Sequence, residues 1–151
     1  MQSTFDITRS SRNILYKFLE ENSLEQLNKI PEGFSNNLIW NIGHIVVVQQ
    51  MLVYNLSGLP MLVSTEMVDK YKRGTKPENP VSQEEVEQLK TLLFETLNQT
   101  KTDFSNGIFK EYKEFTTMSG FNIRTAQEAM EFNNYHEGVH TGIMMRIRKL
   151  I

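Results

Sequence analysis

The spacing of apolar residues in the first part of the chain predicts helix. Between about 6 and 21, apolar side chains recur every three or four positions, as on one face of a helix. This stripe consists of Ile14, Leu15, Phe18 and Leu19. Ser23 and Gln26 have the residue types and the spacing of a capping box, which predicts a short second helix that ends before Pro31.

A second long helix is predicted from about 36 to 57, with Gly58 and Pro60 following its end. Its core-facing positions keep a helical spacing throughout: Leu38, Ile42, Ile45, Gln49, Leu52 and Leu56. The β-branched run 45–48 also matches a buried strand, but the apolar pattern extends too far in both directions for a typical strand. We therefore predict a helix that is buried on most sides.

Two more long helices follow, and each begins with a capping-box pattern. Ser82 and Glu85 open a helix over about 83–103. Thr125 and Glu128 open the last helix, which is predicted to continue to the final residue of the chain.

The segments between these helices show no repeat and no low-complexity sequence. Residues 61–80 are predicted to form a connection, and residues 104–124 a loop or a short extended segment. Four long helices with little strand pattern predict an all-α four-helix bundle that forms one domain over residues 1–151.

Composition and charge narrow the range of functions. The chain has no cysteine, which excludes disulfides, thiolate metal sites and a cysteine nucleophile. The formal net charge is −2 and no long run of lysine or arginine occurs, so we expect no nucleic-acid partner. The N-terminal stretch lacks the apolar core of a signal peptide, and no apolar run reaches membrane-spanning length. We therefore expect a cytoplasmic protein without membrane association.

The last predicted helix carries two of the three histidines. His136 and His140 are four residues apart, so both imidazoles lie on one helix face and can reach the same ion. With Glu137 they form the H-E-x-x-H pattern of many zinc peptidases, in which the glutamate is the general base. The eleven residues after His140 contain no histidine, aspartate or glutamate, whereas such peptidases take their third ligand from downstream.

The third ligand must therefore come from upstream, and the one remaining histidine is His44 in the second long helix. Gly43 beside it costs a helix about 1 kcal/mol relative to alanine, which suggests a close approach at this position. Three histidines from two facing helices leave a coordination position open, as in catalytic rather than structural zinc sites. We predict that His44, His136 and His140 bind one divalent metal ion.

Glu137 has two interpretations. It orients a ligand imidazole or takes a proton from bound water, or it is a glutamate on the helix surface or in an inter-helix salt bridge. Asn41 precedes His44 by three positions and should share its face. It is interpreted either as a group that binds substrate or metal-bound water, or as a buried amide with its hydrogen bonds satisfied.

Two segments resemble the DinB-like (DinB/YfiT) superfamily of metal-dependent enzymes. They are Trp40–His44 in the second long helix and His136–Gly142 in the last, and their order and separation also match. The resemblance spans essentially the whole chain. It implies an up-down-down-up four-helix bundle, a three-histidine site for zinc or nickel, and frequently a homodimer.

The superfamily contains thiol transferases that use bacillithiol, glutathione or mycothiol, together with maleylpyruvate isomerase-like and hydrolase-like members. The resemblance therefore implies a metal-dependent transferase of the thiol S-transferase kind, or a hydrolase, acting on a small molecule. Because the chain has no cysteine, a thiol nucleophile must arrive with a low-molecular-weight substrate or cosubstrate. The alternative is a non-catalytic, dimeric metal- or ligand-binding protein with a structural or vestigial site.

Overall fold

The computed structural model describes residues 1–151, and most of them are helical, which confirms the all-α class. In chain order the elements are α1 (Gln2–Glu21), α2 (Leu24–Asn28), α3 (Leu38–Val53), a 3-10 turn (Asn55–Ser57), α4 (Thr65–Tyr71), α5 (Gln83–Ser105), β1 (Phe115–Thr116), β2 (Asn122–Ile123) and α6 (Ala126–Ile147). The two strands form a small antiparallel hairpin before α6. None of the helices is long and apolar enough to cross a membrane.

The three helix starts predicted from capping patterns are correct, but only one of the three capping boxes is complete. The first helix begins at Gln2 rather than near 6, and no side chain caps it. At α2 the side chain of Ser23 accepts from the backbone of Gln26, and the Gln26 side chain accepts from the backbone of Ser23. At the starts of α5 and α6, the hydroxyl groups of Ser82 and Thr125 likewise accept from the backbone amides of Glu85 and Glu128. At α6 the reciprocal half is absent, because the carboxylate of Glu128 accepts from the backbone amide of Arg124 instead.

Some predicted boundaries are wrong. The prediction of a plain connection over 61–80 misses α4, whose seven residues are too few to show a helical repeat in the sequence. The second long helix ends at Val53 rather than near 57, because the chain tightens there into a 3-10 turn. The last helix ends at Ile147, short of the predicted end of the chain.

The four long helices α1, α3, α5 and α6 pack against one another, and α4 packs on α3. Helix α3 is buried along almost its whole length, as its continuous apolar pattern predicts. The apolar core has two clusters, and buried polar side chains from all four helices lie between them. These polar residues are Thr8, Arg12, Gln49, Thr96, Thr100, Asn133 and Glu137.

Candidate metal centre

The structure brings the three histidines together at the interface between α3 and α6. His44 lies on α3, and His136 and His140 lie one turn apart on α6. The distances between ring centroids are 5.2 Å for His44–His136, 4.8 Å for His44–His140 and 4.6 Å for His136–His140. One nitrogen from each ring lies within 4.8 Å of the other two. The three predicted side chains therefore converge on one point.

His44 is held by two contacts. Its Nδ1 lies 2.6 Å from the backbone oxygen of Tyr71, the last residue of α4. Because a carbonyl oxygen only accepts, Nδ1 carries the proton and Nε2 keeps a free lone pair. The indole of Trp40 stacks on the same ring at 4.7 Å, with 13° between the two planes. The ring is therefore fixed in both tautomer and orientation.

His140 is held in the same way by Asn41. Its Nδ1 lies 2.8 Å from Oδ1 of Asn41. The amide nitrogen of Asn41 donates to the backbone oxygen of Asn37 and to Oδ1 of Asn36, so the amide oxygen must face the histidine. Asn41 is thus a buried amide with its hydrogen bonds satisfied, and one of these bonds holds a predicted ligand. His140 donates from Nδ1, which leaves its Nε2 free.

The environment keeps the three imidazoles neutral at pH 7. Burial, with the neighbouring rings of His140 and His44, lowers the pKa of His136 to about 3. Burial and the neighbouring His44 lower the pKa of His140 to about 4. Burial also lowers the pKa of His44, and the hydrogen bond to Tyr71 opposes this shift in part. Neutral imidazole is the form that binds metal ions.

Glu137 lies in the inter-helix ion pair that was one of its two interpretations. Its Oε1 accepts from Nε and Nη2 of Arg12, at 3.2 and 3.1 Å, and both side chains are fully buried. Nδ2 of Asn133 donates to the same oxygen at 2.8 Å. Nη1 of Arg12 donates to Thr96 Oγ1 and to the backbone oxygen of Leu93. One carboxylate oxygen, Oε1, is thus bound by α1 and by its own helix, whereas Oε2 is buried without a hydrogen-bond partner.

Arg12 was not identified from the sequence. It follows Thr8 and precedes Leu15 and Leu19 at helical spacing, so it lies on the face of α1 that is buried. A charged residue in such a row is a recognisable sign of a buried ion pair, since a lone buried charge is too costly.

A cavity of about 420 Å³ opens behind the site. Trp40 and Tyr71, which both contact His44, form part of its wall, and Asn37, Lys70 and Lys76 contribute polar groups. None of the three histidines lines it. Its size is that of small-molecule pockets, which range over about 300–1,000 Å³.

The donor set fits a divalent metal ion. Three neutral imidazoles are ligands that zinc, nickel and related ions accept, and two of the rings have their Nδ1–H fixed by an acceptor. One nitrogen of each ring lies within 4.8 Å of the other two, so the three imidazoles could hold one ion. His136 differs from the other two, because its buried Nδ1 has no hydrogen-bond partner.

Comparison with other proteins identifies the family and the fold of the chain. The search of curated proteins finds no match to the sequence. Among solved structures, the fold is similar to that of a conserved protein from Enterococcus faecalis, with a TM-score of 0.68 and 13% sequence identity. The similarity covers 99% of this chain and 95% of the other. A family model described as the DinB superfamily matches residues 7–144, and the chain therefore belongs to the DinB superfamily.

Proposed function

We propose that this protein is a metal-dependent enzyme in which His44, His136 and His140 hold one divalent ion, either zinc or nickel. The observation that carries the proposal is the convergence of three ring nitrogens, from two helices, within 4.8 Å of one another. Three neutral imidazoles with an open fourth position are typical of catalytic sites. Glu137, the acidic residue next to His136, is bound by Arg12 and does not belong to the converging group of side chains.

We also propose that the four long helices form an up-down-down-up bundle. Hydrogen bonds and ion pairs support this order of directions. Two pairs link α1 and α6 in the same sequence order: Thr8 with Asn134, and Glu21 with Arg148. Two pairs link α3 and α5 in the same order: Gln49 with Thr100, and Tyr54 with Asp103. Two pairs link α3 and α6 in opposite order: Asn41 with His140, and Gln49 with Met130.

The proposed reaction is a thiol transfer or a hydrolysis on a small molecule. A divalent ion at this site supplies Lewis acidity, which lowers the pKa of a bound water or thiol. The chain provides the holding groups: Tyr71 and Trp40 fix the ring of His44, and Asn41 fixes that of His140. The cavity beside Trp40 is of the size to receive the part of a substrate that does not react. In a thiol transfer, the thiol comes from a low-molecular-weight cosubstrate, because the chain has no cysteine.

The metal proposal is tested by elemental analysis of protein purified from zinc- and nickel-supplemented medium, beside the His44→Ala variant. We expect about one ion per wild-type chain and a large loss in the variant. Stoichiometric metal in His44→Ala would refute the triad.

The reaction is tested on the metal-loaded protein with bacillithiol, glutathione and mycothiol, each with an electrophilic small molecule. Turnover that His140→Ala abolishes supports the transferase. If no thiol is consumed, hydrolysis of small esters and amides is the next assay. A coordination shell without an exchangeable water indicates the non-catalytic alternative.

A homodimer is part of the same proposal, on the grounds of the superfamily resemblance. The cytoplasmic location expected from the sequence is kept as a proposal. Light scattering of the metal-loaded protein tests the oligomeric state, and a mass of twice 17.6 kDa is expected.

A further inference from the structure

Helix α6 carries three buried polar atoms without a hydrogen-bond partner: Nδ1 of His136, Oδ1 of Asn133 and Oε2 of Glu137. The first two lie about one turn apart, and the side chain of Asn133 is completely buried. Residues three apart on a helix share a face, so the two side chains are neighbours. Buried polar groups are almost always paired because leaving them unpaired is costly, so both atoms require an explanation.

The orientation of the Asn133 amide is determined by Glu137. The Asn133 nitrogen lies 2.8 Å from Oε1 of Glu137, and Arg12 binds that same oxygen. A carboxylate paired with a guanidinium is ionised and only accepts hydrogen bonds, so the NH₂ of the amide must face it. The amide oxygen of Asn133 therefore points elsewhere, as an acceptor that lacks a donor.

The tautomer of His136 is determined by its proposed role. A neutral imidazole has one N–H, and a ring that offers Nε2 to an ion carries its proton on Nδ1. His44 and His140 already donate from Nδ1, to the Tyr71 carbonyl and to Oδ1 of Asn41. Nδ1 of His136 is thus a donor without an acceptor, and it lies beside Oδ1 of Asn133, which is an acceptor without a donor.

We propose that Asn133 is the positioning residue of His136, accepting the hydrogen bond from its Nδ1–H when the three imidazoles hold an ion. The inference rests on the metal site proposed above. It completes a pattern in which each ligand donates to one fixed oxygen. It also gives the Arg12–Glu137 pair a consequence at the site, because Glu137 fixes the amide that holds His136. The competing acceptor is Oε2 of Glu137, which has no partner either.

The first test is the zinc affinity of Asn133→Leu, measured by competition with a chromophoric chelator. Leucine has a similar size but no acceptor. Loss of the group that orients a metal-binding histidine typically weakens the metal affinity by about 10–100-fold, and we expect a loss in this range. The matched control is Asn134→Leu, one position further along. Asn134 bonds to Thr4 and Thr8 on α1, so this variant should bind zinc as the wild type does.

The second test separates positioning from a general loss of structure. In long-range ¹H–¹⁵N spectra of the zinc-loaded wild type, we expect all three histidines to be protonated at Nδ1. In Asn133→Leu only the Nδ1–H signal of His136 should shift, whereas partial unfolding would shift the signals of all three. A shift of this signal in Glu137→Gln but not in Asn133→Leu would identify Glu137 as the acceptor and overturn the proposal.

The proposal that Asn133 positions His136 is also overturned if Asn133→Leu binds zinc with the affinity of the wild type. If that variant does not fold, a crystal structure of the zinc-loaded wild type decides. A hydrogen-bond distance between Asn133 Oδ1 and His136 Nδ1 supports the proposal, and a longer separation refutes it. A wild type that binds neither zinc nor nickel removes the metal site and this inference together. A wild type that binds zinc, with Asn133→Leu unaffected, removes this inference alone.

Discussion

The ring of Tyr71 lies directly over the backbone of Gly43, so close that a Cβ on Gly43 would stand 2.6 Å from two of its carbon atoms. The same tyrosine supplies the backbone oxygen that accepts from His44, the residue after Gly43. Helix α4 can therefore approach α3 only because position 43 has no side chain. This contact connects the helix packing to the orientation of a candidate metal ligand.

Gly43→Ala should destabilise the protein and weaken its metal binding. The ring of Tyr71 is buried and its hydroxyl bonds to Glu85, so it cannot swing aside without moving α4. Overpacking of this kind costs about 1–3 kcal/mol, more than the roughly 1 kcal/mol that alanine gains over glycine in a helix. Urea unfolding measures the first effect and chelator competition for zinc the second. Unchanged zinc affinity would show that α4 does not position His44.

Gly138→Ala is the matched substitution with the opposite expected sign. Gly138 lies between His136 and His140, but a Cβ there meets no atom within 4 Å. Only the helix propensity then changes, so the variant should be more stable by about 0.5–1 kcal/mol. Urea unfolding of the metal-free protein measures this gain. A loss of stability would mean that this face of α6 packs against something outside the chain.

These two glycines show how far sequence alone can go. Both lie beside histidines in helices, and only the structure distinguishes the one under a tyrosine from the one facing open space. The starts of α2, α5 and α6 were predictable because a cap is a local pattern of three or four residues. Helix α4 was not, since its two buried side chains, Met67 and Tyr71, are too few to reveal a period.

At the candidate metal centre, too, the local pattern was predictable from the sequence and the contacts between helices were not. The histidine trio was predictable because two members share one helix face and the third is the one other histidine. The groups that fix the rings were not, because they depend on which helices meet. Asn41 reaches His140 across 99 positions, and Arg12 reaches Glu137 across 125. Spacing within one helix says nothing about such partners.

The buried pair of Arg12 and Glu137 should make single substitutions very costly. Arg12→Met leaves a carboxylate without its guanidinium in a fully buried position, and Glu137→Leu leaves the guanidinium without its carboxylate. Breaking a buried pair from one side costs about 3–5 kcal/mol, and we expect each variant to lose that much in urea unfolding.

The double variant is the control. Arg12→Met with Glu137→Leu removes both charges and replaces them with apolar groups, so it should recover much of the loss. Additive losses in the double variant would contradict a direct pair and indicate that each residue acts through separate contacts. Asn133 loses its acceptor in Glu137→Leu and in the double variant, so its weaker fixation should lower the zinc affinity even where the stability recovers.

The metal-free protein should become less stable as the pH falls below 6.5. Burial lowers the pKa of His136 to about 3 and that of His140 to about 4, whereas both return to about 6.5 in the unfolded chain. Between these values the unfolded chain binds more protons than the folded one, so acid favours unfolding. Each imidazole should contribute a loss of roughly 2 kcal/mol at pH 5 relative to pH 7.

Urea unfolding with a chelator present, at pH 7 and pH 5, measures the difference. Replacing both histidines with glutamine should remove most of it, and an equal loss in that variant would assign the pH dependence to His44 or to the carboxylates instead.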